Sequence, residues 1–247
     1  MSRRNGPRDE PAGDRILPLL DKSTSLTEAI AQIRDGACVM IGGFGVPGTP
    51  FTLIQELVRQ GPKNLTLIKN DANEPGMGVD WLLSAGMVRR LITSHVGLNG
   101  NAVRMMNAGE IEVEFVAQGI LAERIRAAGA GLKGFVSDIG IGTLLAQGKQ
   151  TVEMDGATYL IEPALEADFA LVHAARADTF GNLAFAATAR NFNPLMAMAA
   201  NCTIAEAEAI VPVGDIDPDT VHTPAPFVDH LVALPEKLME VYGVVKR

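Results

Sequence analysis

The chain has 247 residues, 47% of them hydrophobic and 20% charged, a balance that supplies a packed core and excludes a disordered polymer. Its net charge of −8 excludes broad electrostatic binding of a nucleic acid. No apolar run reaches the roughly 18 residues that span a bilayer, and Cys38 and Cys202 lie in apolar stretches with no Cys or His at metal-ligand spacing, which reads as reduced thiols in a cytoplasmic protein without a metal.

In chain order, residues 1–22 begin with basic residues but lack a following apolar core, so they read as a disordered leader and not a signal peptide. Residues 23–247 read as one domain. Ser25 and Glu28 form a capping box, and Leu26, Ala29, Ile30 and Ile33 share one face of a short helix that stops at Asp35-Gly36. Residues 37–41 are continuously apolar, as a strand buried on both faces requires. A glycine-rich loop follows, and Thr49-Pro50 looks like an N-cap with proline at the first helical position. The alternation continues with strands at 65–68, 88–94 and 111–116 and helices at 79–85, 103–108 and 120–128.

The second part changes character. Residues 151–161 turn at Asp155-Gly156 and read as a hairpin; 169–174 and 183–185 flank a turn at Gly181-Asn182. A small-residue helix at 194–200 and a strand at 204–213 complete the pattern. The fold class expected is α/β: a doubly wound, mostly parallel sheet with helices on both faces and an antiparallel hairpin addition in the second part.

The glycine loop comprises Gly42, Gly43, Phe44, Gly45, Val46, Pro47 and Gly48. It follows a buried strand and precedes a helix, at the carboxyl edge where parallel sheets bind ligands. Glycine permits positive φ and close backbone approach. The helix after Pro50 points its positive end into the same space, so the loop is a candidate for holding a phosphate, a carboxylate or an oxyanion. A plain tight turn is the bland alternative. Residues 43–48 also spell G-x-G-x-x-G, with Asp71 as a possible ribose ligand, but Pro47 and Pro50 bracket Gly48 and keep it out of the helix, against dinucleotide binding.

Two other positions lie at the same edge. Asn70, within Lys69-Asn70-Asp71-Ala72-Asn73, can hydrogen-bond an acyl oxygen, and Gln118, after the strand at 111–116, can donate to a carbonyl or carboxylate; a turn or strand end would use the same residues for structure alone. His95 lies just past a strand and is a possible acid or base; His173, within an apolar strand, reads as a hydrogen-bonded core residue. His222 and His230 join no Ser-His-Asp or Cys-His arrangement. Glu162, Glu166 and Asp168 read as a solvated face or loop, and nothing makes two of them an acid–base pair.

The run Asp35-Gly36-Ala37-Cys38-Val39-Met40-Ile41-Gly42-Gly43-Phe44-Gly45-Val46-Pro47-Gly48-Thr49-Pro50 resembles the first signature of the family I coenzyme A transferases at every fixed position. The likeness continues through Lys69-Asn70-Asp71, Gln118-Gly119, Gly142-Thr143-Leu144, Gly181-Asn182-Leu183 and Ala189-Arg190-Asn191-Phe192-Asn193-Pro194. The chain resembles an alpha (A) subunit of the acetate/butyrate–acetoacetate or 3-oxoacid type. That resemblance implies a ping-pong transfer of CoA from an acyl-CoA to a carboxylic acid through a glutamate of the beta subunit. No Glu-Asn pair, the core of the beta chain's signature, occurs in this sequence, so no catalytic residue is expected here. The resemblance further implies CoA binding at residues 42–48, an acyl site lined by Asn70 and Gln118, CoA thioesters as substrates with no permanently bound cofactor, and a hetero-oligomer of two plus two chains. Two other classes stay open at this point: a single-chain sugar-phosphate isomerase of similar fold, which needs its own base, and a non-catalytic ligand-binding partner protein.

Overall fold

The computed structural model describes residues 20–235. Its first part alternates: α1 (Leu26–Ile30), β1 (Cys38–Ile41), α2 (Phe51–Gln60), β2 (Leu65–Ile68), α3 (Val79–Ser84), β3 (Val88–Thr93), α4 (Gly100–Asn107), β4 (Glu112–Phe115) and α5 (Gln118–Gly129). Then follow β5 (Gly134–Ser137), β6 (Thr151–Met154), β7 (Ala157–Pro163), β8 (Ala167–Asp178), β9 (Leu183–Ala184), α6 (Asn193–Ala199), β10 (Ala200–Val211) and β11 (His230–Ala233). The main sheet runs β11-β10-β8-β1-β2-β3-β4 with every neighbouring pair parallel, and β9 adds antiparallel to β8. A second, antiparallel sheet has the order β5-β7-β6.

The period of two explains the layers. Val39 and Ile41 pack into one core with Leu53, Ile54 and Leu57 of α2, while Met40 between them packs into the other with Ile125 of α5 and Met196 of α6. All three β1 side chains are fully buried, as a central strand covered on both faces demands. Phe51, Phe185 and Phe192 are the aromatics in this core; Ala, Val, Leu, Ile and Met supply the rest.

Strand order sets the position of the functional edge. From β1 the chain winds outward to β4, and it then returns to β1's other side with β8. The order therefore reverses between β1 and β8, and the loop after β1 opens at that switch point. β8 and β10 pair from Ala200↔Ala167 to Val211↔Asp178, whereas β1 meets β8 only to Ile41↔Leu171. The β8–β10 ladder thus overhangs the end of β1.

Several expectations need correction. The capping box holds, with the Ser25 hydroxyl accepting from the Glu28 N–H at 3.2 Å, but α1 stops at Ile30. Thr49 is not the cap of α2: Pro50 occupies that place without a side-chain bond, and the Thr49 hydroxyl donates to the Gly45 carbonyl at 2.6 Å. α4 begins earlier than predicted, because Asn99 caps it by accepting from the Ala102 N–H at 2.9 Å, a start hidden in sequence by Gly and Asn. β5 and β11 are strands the sequence did not announce. Glu162 is fully buried and paired with Lys149, not solvated, while Glu166 meets Lys133 at the surface. Asp155 and Gly156 turn the β6–β7 hairpin with φ of 51° and 77°. The expected leader lies outside the described residues up to residue 19. Lys22, near its end, donates its ammonium to the carbonyls of Ala225 and Val228, both at 2.7 Å.

Two glycines of α5 give opposite expectations. A Cβ on Gly129 would stand 2.7 Å from the Met198 Cβ, so the helix closes on the α6 end only because that Cβ is absent. Gly119 in the same helix has nothing within 4 Å. Gly129→Val is expected to lose about 1–3 kcal/mol of stability through overpacking, and Gly119→Ala to gain about 0.5–1 kcal/mol through helix propensity. Denaturant melts of both variants check the signs.

Candidate active site

The loop at residues 42–48 is held by its carbonyls. The Gly42 carbonyl faces the Lys69 ammonium at 3.4 Å; the Gly45 carbonyl accepts from Thr49 Oγ1 at 2.6 Å and Asn73 Nδ2 at 2.8 Å. The Pro47 carbonyl accepts from the Phe44 N–H at 3.0 Å and Asn191 Nδ2 at 2.9 Å, and the Gly48 carbonyl from Asn193 Nδ2 at 3.0 Å. With these oxygens turned into the protein, the N–H groups of Gly43, Gly45, Val46 and Gly48 have no hydrogen-bond partner among the described residues. Gly45 and Val46 are half-buried and reach solvent; Gly43 and Gly48 are covered. Successive unpaired N–H groups form a concavity suited to an anion.

Glycine is required here for two separate reasons. A Cβ on Gly43 would lie 2.4 Å from Thr49 Oγ1 and 2.6 Å from the Thr49 backbone nitrogen, so that glycine closes the loop on itself. A Cβ on Gly45 would meet only Asp71 Oδ2, at 3.9 Å, and φ there is +59°. The space beside Gly45 is open to a ligand.

The helix end does not behave as expected. The first turn of α2 is taken by Glu206, which reaches across from β10 to accept the Leu53 N–H at 3.0 Å. His173 of β8 bonds the other oxygen of Glu206 through Nδ1 at 2.8 Å and faces Glu208 through Nε2 at 3.3 Å. A carboxylate of the chain itself thus occupies the positive end of α2, and the anion-holding capacity rests on the loop N–H groups alone. Burial pushes the His173 pKa down, but the two carboxylates outweigh it and hold the imidazole up at about 9. His173 is a charged, paired group beside the loop, as its reading as a hydrogen-bonded residue anticipated.

Lys69 is the residue the sequence hid most completely. It is 0% exposed, with its ammonium 3.3 Å from Asp71 Oδ1 and 3.3 Å from Asn70 Oδ1. Burial lowers its pKa, against the attraction of Asp71. Asn70 beside it is also fully buried, and its Nδ2 has no hydrogen-bond partner among the described residues. Such a donor costs about 1–3 kcal/mol unless a ligand or water meets it. Gln118 is the first residue of α5, half-buried, and its side chain makes no hydrogen bond among the described residues. Asn70 adjoins the glycine loop one strand away. Gln118 follows β4, three strands from β1 in the sheet order.

The remaining candidates fall away from the loop. His95 is exposed, its ring nitrogen Nδ1 3.5 Å from the Ser94 hydroxyl. The His222 Nδ1 accepts the Phe185 N–H at 2.9 Å. Burial and a neighbouring aspartate push both Cys38 and Cys202 up to about 11, which makes them poor nucleophiles. Among the described residues, no group of three His, Cys, Asp or Glu side chains is placed to hold a metal ion, and no helix is long and apolar enough to cross a membrane.

The His173 cluster has a pH signature. The folded pKa of about 9 lies above the ordinary 6.5, so its stabilisation is full below about pH 6.5, shrinks as pH rises and is gone above about pH 9. Wild type and His173→Gln are therefore expected to differ most in melting temperature near pH 6.5 and to converge by about pH 9.5. A gap that stays constant with pH would show that the charge on His173 contributes nothing.

Comparison with known proteins agrees with this geometry. The coenzyme A transferase family model matches residues 23–234. The alpha subunit of the acetate CoA-transferase of Escherichia coli (strain K12) is 44% identical over 215 residues, spanning 87% of this chain and 98% of that one. The alpha (A) subunit of the succinyl-CoA:3-ketoacid coenzyme A transferase of Xanthomonas campestris pv. campestris (strain B100) is 50% identical over 210 residues, 84% of this chain and 87% of that one. Among solved structures, the acyl-CoA transferase YdiF of E. coli O157:H7, in a thioester complex with CoA, superposes with a TM-score of 0.79 at 25% identity; the match covers 88% of this chain and 48% of that one. The decarboxylase AibA/AibB matches with a TM-score of 0.75 at 30% identity, over 87% of this chain and 84% of that one. The chain belongs to the coenzyme A transferase family, and its likeness over most of its length is to the alpha (A) subunits within it.

Proposed function

We propose that the chain is the alpha (A) subunit of a heteromeric CoA-transferase, which shapes an acyl-CoA site for a glutamate nucleophile carried by a beta chain, in a complex of two plus two chains. The observation that carries this reading is the glycine loop: the carbonyls of Gly42, Gly45, Pro47 and Gly48 are fastened by the surrounding groups, and the unpaired N–H groups of Gly45 and Val46 reach solvent. When a carboxylate attacks a thioester, charge moves onto the carbonyl oxygen, and fixed N–H donors stabilise that charge more than the ground state. The carboxyl group then holds the acyl group as a mixed anhydride while CoA leaves as thiolate. Attack of the thiolate on the glutamyl carbonyl of the anhydride gives a glutamyl-CoA thioester and releases the donor acid as a carboxylate; the acceptor carboxylate then reverses these steps, leaving as its CoA thioester and restoring the glutamate.

The carboxylates beside the loop support a division of labour. Asp71 is committed to Lys69, and Glu206 to His173 and the Leu53 N–H. Neither is a free nucleophile. The same pairing weighs against a single-chain isomerase, because His173 holds its proton between two glutamates and has no basic lone pair to offer near neutral pH.

Measuring CoA exchange between acetoacetyl-CoA and acetate, with and without a beta chain, tests the assignment. The isolated chain is expected to be inactive and the pair active. Robust turnover by the lone chain, or by the lone chain on a phosphosugar, would overturn it; ligand binding without turnover in the pair would favour a non-catalytic partner protein.

Two variants test the site residues in the assembled enzyme. Gln118→Ala is expected to lower kcat roughly a hundredfold if the free amide donates to developing charge, with a melting temperature close to wild type because the side chain has no partner to lose. Gly45→Ala places a methyl in open space and is expected to cost about 1–2 kcal/mol in backbone strain but roughly a hundredfold in kcat/KM. Normal kinetics in either variant would remove that residue from the site.

A further inference from the structure

The segment from β9 to α6 is not used by the reaction as described, yet it is built against the glycine loop. Ala187 has φ of +46°, a left-handed conformation that alanine adopts at a cost. The residues that follow it contact the loop. Asn191 Nδ2 donates to the carbonyls of Pro47, at 2.9 Å, and Thr188, at 2.7 Å; Asn193 Nδ2 donates to those of Gly48, at 3.0 Å, and Ala189, at 2.8 Å. A Cβ on Gly48 would lie 2.5 Å from the Ala189 oxygen, so the two backbones touch. Between them lies a cleft of about 470 Å³ lined by Phe44, Pro47, Thr188 and Asn191. Its lining is mostly apolar. The Phe44 ring is 50% exposed and 6.5 Å from the Phe192 ring. The Thr188 hydroxyl has no hydrogen-bond partner among the described residues.

We propose that residues 187–191 form the second wall of the acyl-CoA site, and that the cleft facing Phe44 and Pro47 takes the flexible amide-containing arm of the CoA thioester. The inference rests on the reading of the glycine loop as the CoA site. That arm is a chain of methylene groups interrupted by amides, which suits an apolar cleft with one free hydroxyl at its wall. The volume lies within the range of pockets that bury a small ligand, and the open N–H groups of Gly45 and Val46 belong to the loop that makes the opposite wall. Strain at Ala187 is the cost of bringing this wall to the loop, and Thr188 is the wall residue that sets how much of the cleft is free.

Steady-state kinetics of the assembled enzyme carrying Thr188→Trp test the proposal, with the smaller Thr188→Leu as a second variant should the first fail to assemble with the beta chain. The expected result is a rise in KM for the CoA thioester of about tenfold or more, an unchanged KM for the free acid, and a much smaller effect on an N-acetylcysteamine thioester, which lacks most of the arm. An unchanged KM for the CoA thioester overturns the proposal. So does an equal rise for the truncated thioester, and so does failure of both variants to bind the beta chain, which would make the cleft a seat for the partner. Gly45→Ala run in parallel separates the two levels: if it raises KM while the Thr188 variants do not, only the second wall fails; if neither changes KM, the loop is not the CoA site.

Discussion

Everything at the switch point depends on which way the carbonyls of residues 42–48 point. A loop of this length offers acceptors as well as donors, one donor fewer because Pro47 has no N–H, and left alone it would present both to water or ligand. Here four carbonyls are taken from below and from the sides by Lys69, Thr49, Asn73, Asn191 and Asn193. The N–H groups of Gly43, Gly45, Val46 and Gly48 are left without a partner among the described residues. A surface of unpaired donors, suited to an anion, thus arises from where the acceptors have been fastened, in a protein whose net charge is −8.

This constraint organises the surrounding charges. Lys69 can be buried because Asp71 and two amide-type oxygens meet its ammonium, and its placement holds the Gly42 carbonyl. Glu206 closes the first turn of α2 and is balanced by His173. These ionic groups leave the chain's own carboxylates engaged, which fits a reaction whose nucleophile comes from elsewhere. The overhanging β8–β10 ladder supplies both His173 and Glu206, in register as Glu206↔His173, so the sheet itself aligns the pair.

How much of this was legible follows from range. β1 and β2 were plain because strands buried on both faces are continuously apolar, and the Asp155-Gly156 turn because two left-handed residues in a row need such a pair. The glycine loop announced itself through its position after β1. What the sequence concealed was carried by contacts across long separations. Glu206 caps a helix 153 residues earlier, and Asn193 holds Gly48 from 145 residues away. Lys69 read as an ordinary polar residue after a strand, since nothing local marks a lysine as buried. The strained Ala187 looks unremarkable in sequence, where a glycine would have drawn notice. β11 was missed because its four residues pair only after β10 is in place.

Backbone hydrogen exchange reads the central claim directly. In the enzyme assembled with its beta chain, the amides of Gly45 and Val46 should exchange readily, because they reach solvent and their N–H groups have no partner among the described residues. Adding a non-reactive acyl-CoA analogue should slow exchange in the peptide that contains Gly45 and Val46, as those donors engage the ligand. Exchange that is already slow without ligand, or that stays unchanged at saturation, would contradict the assignment of these donors to the acyl-CoA.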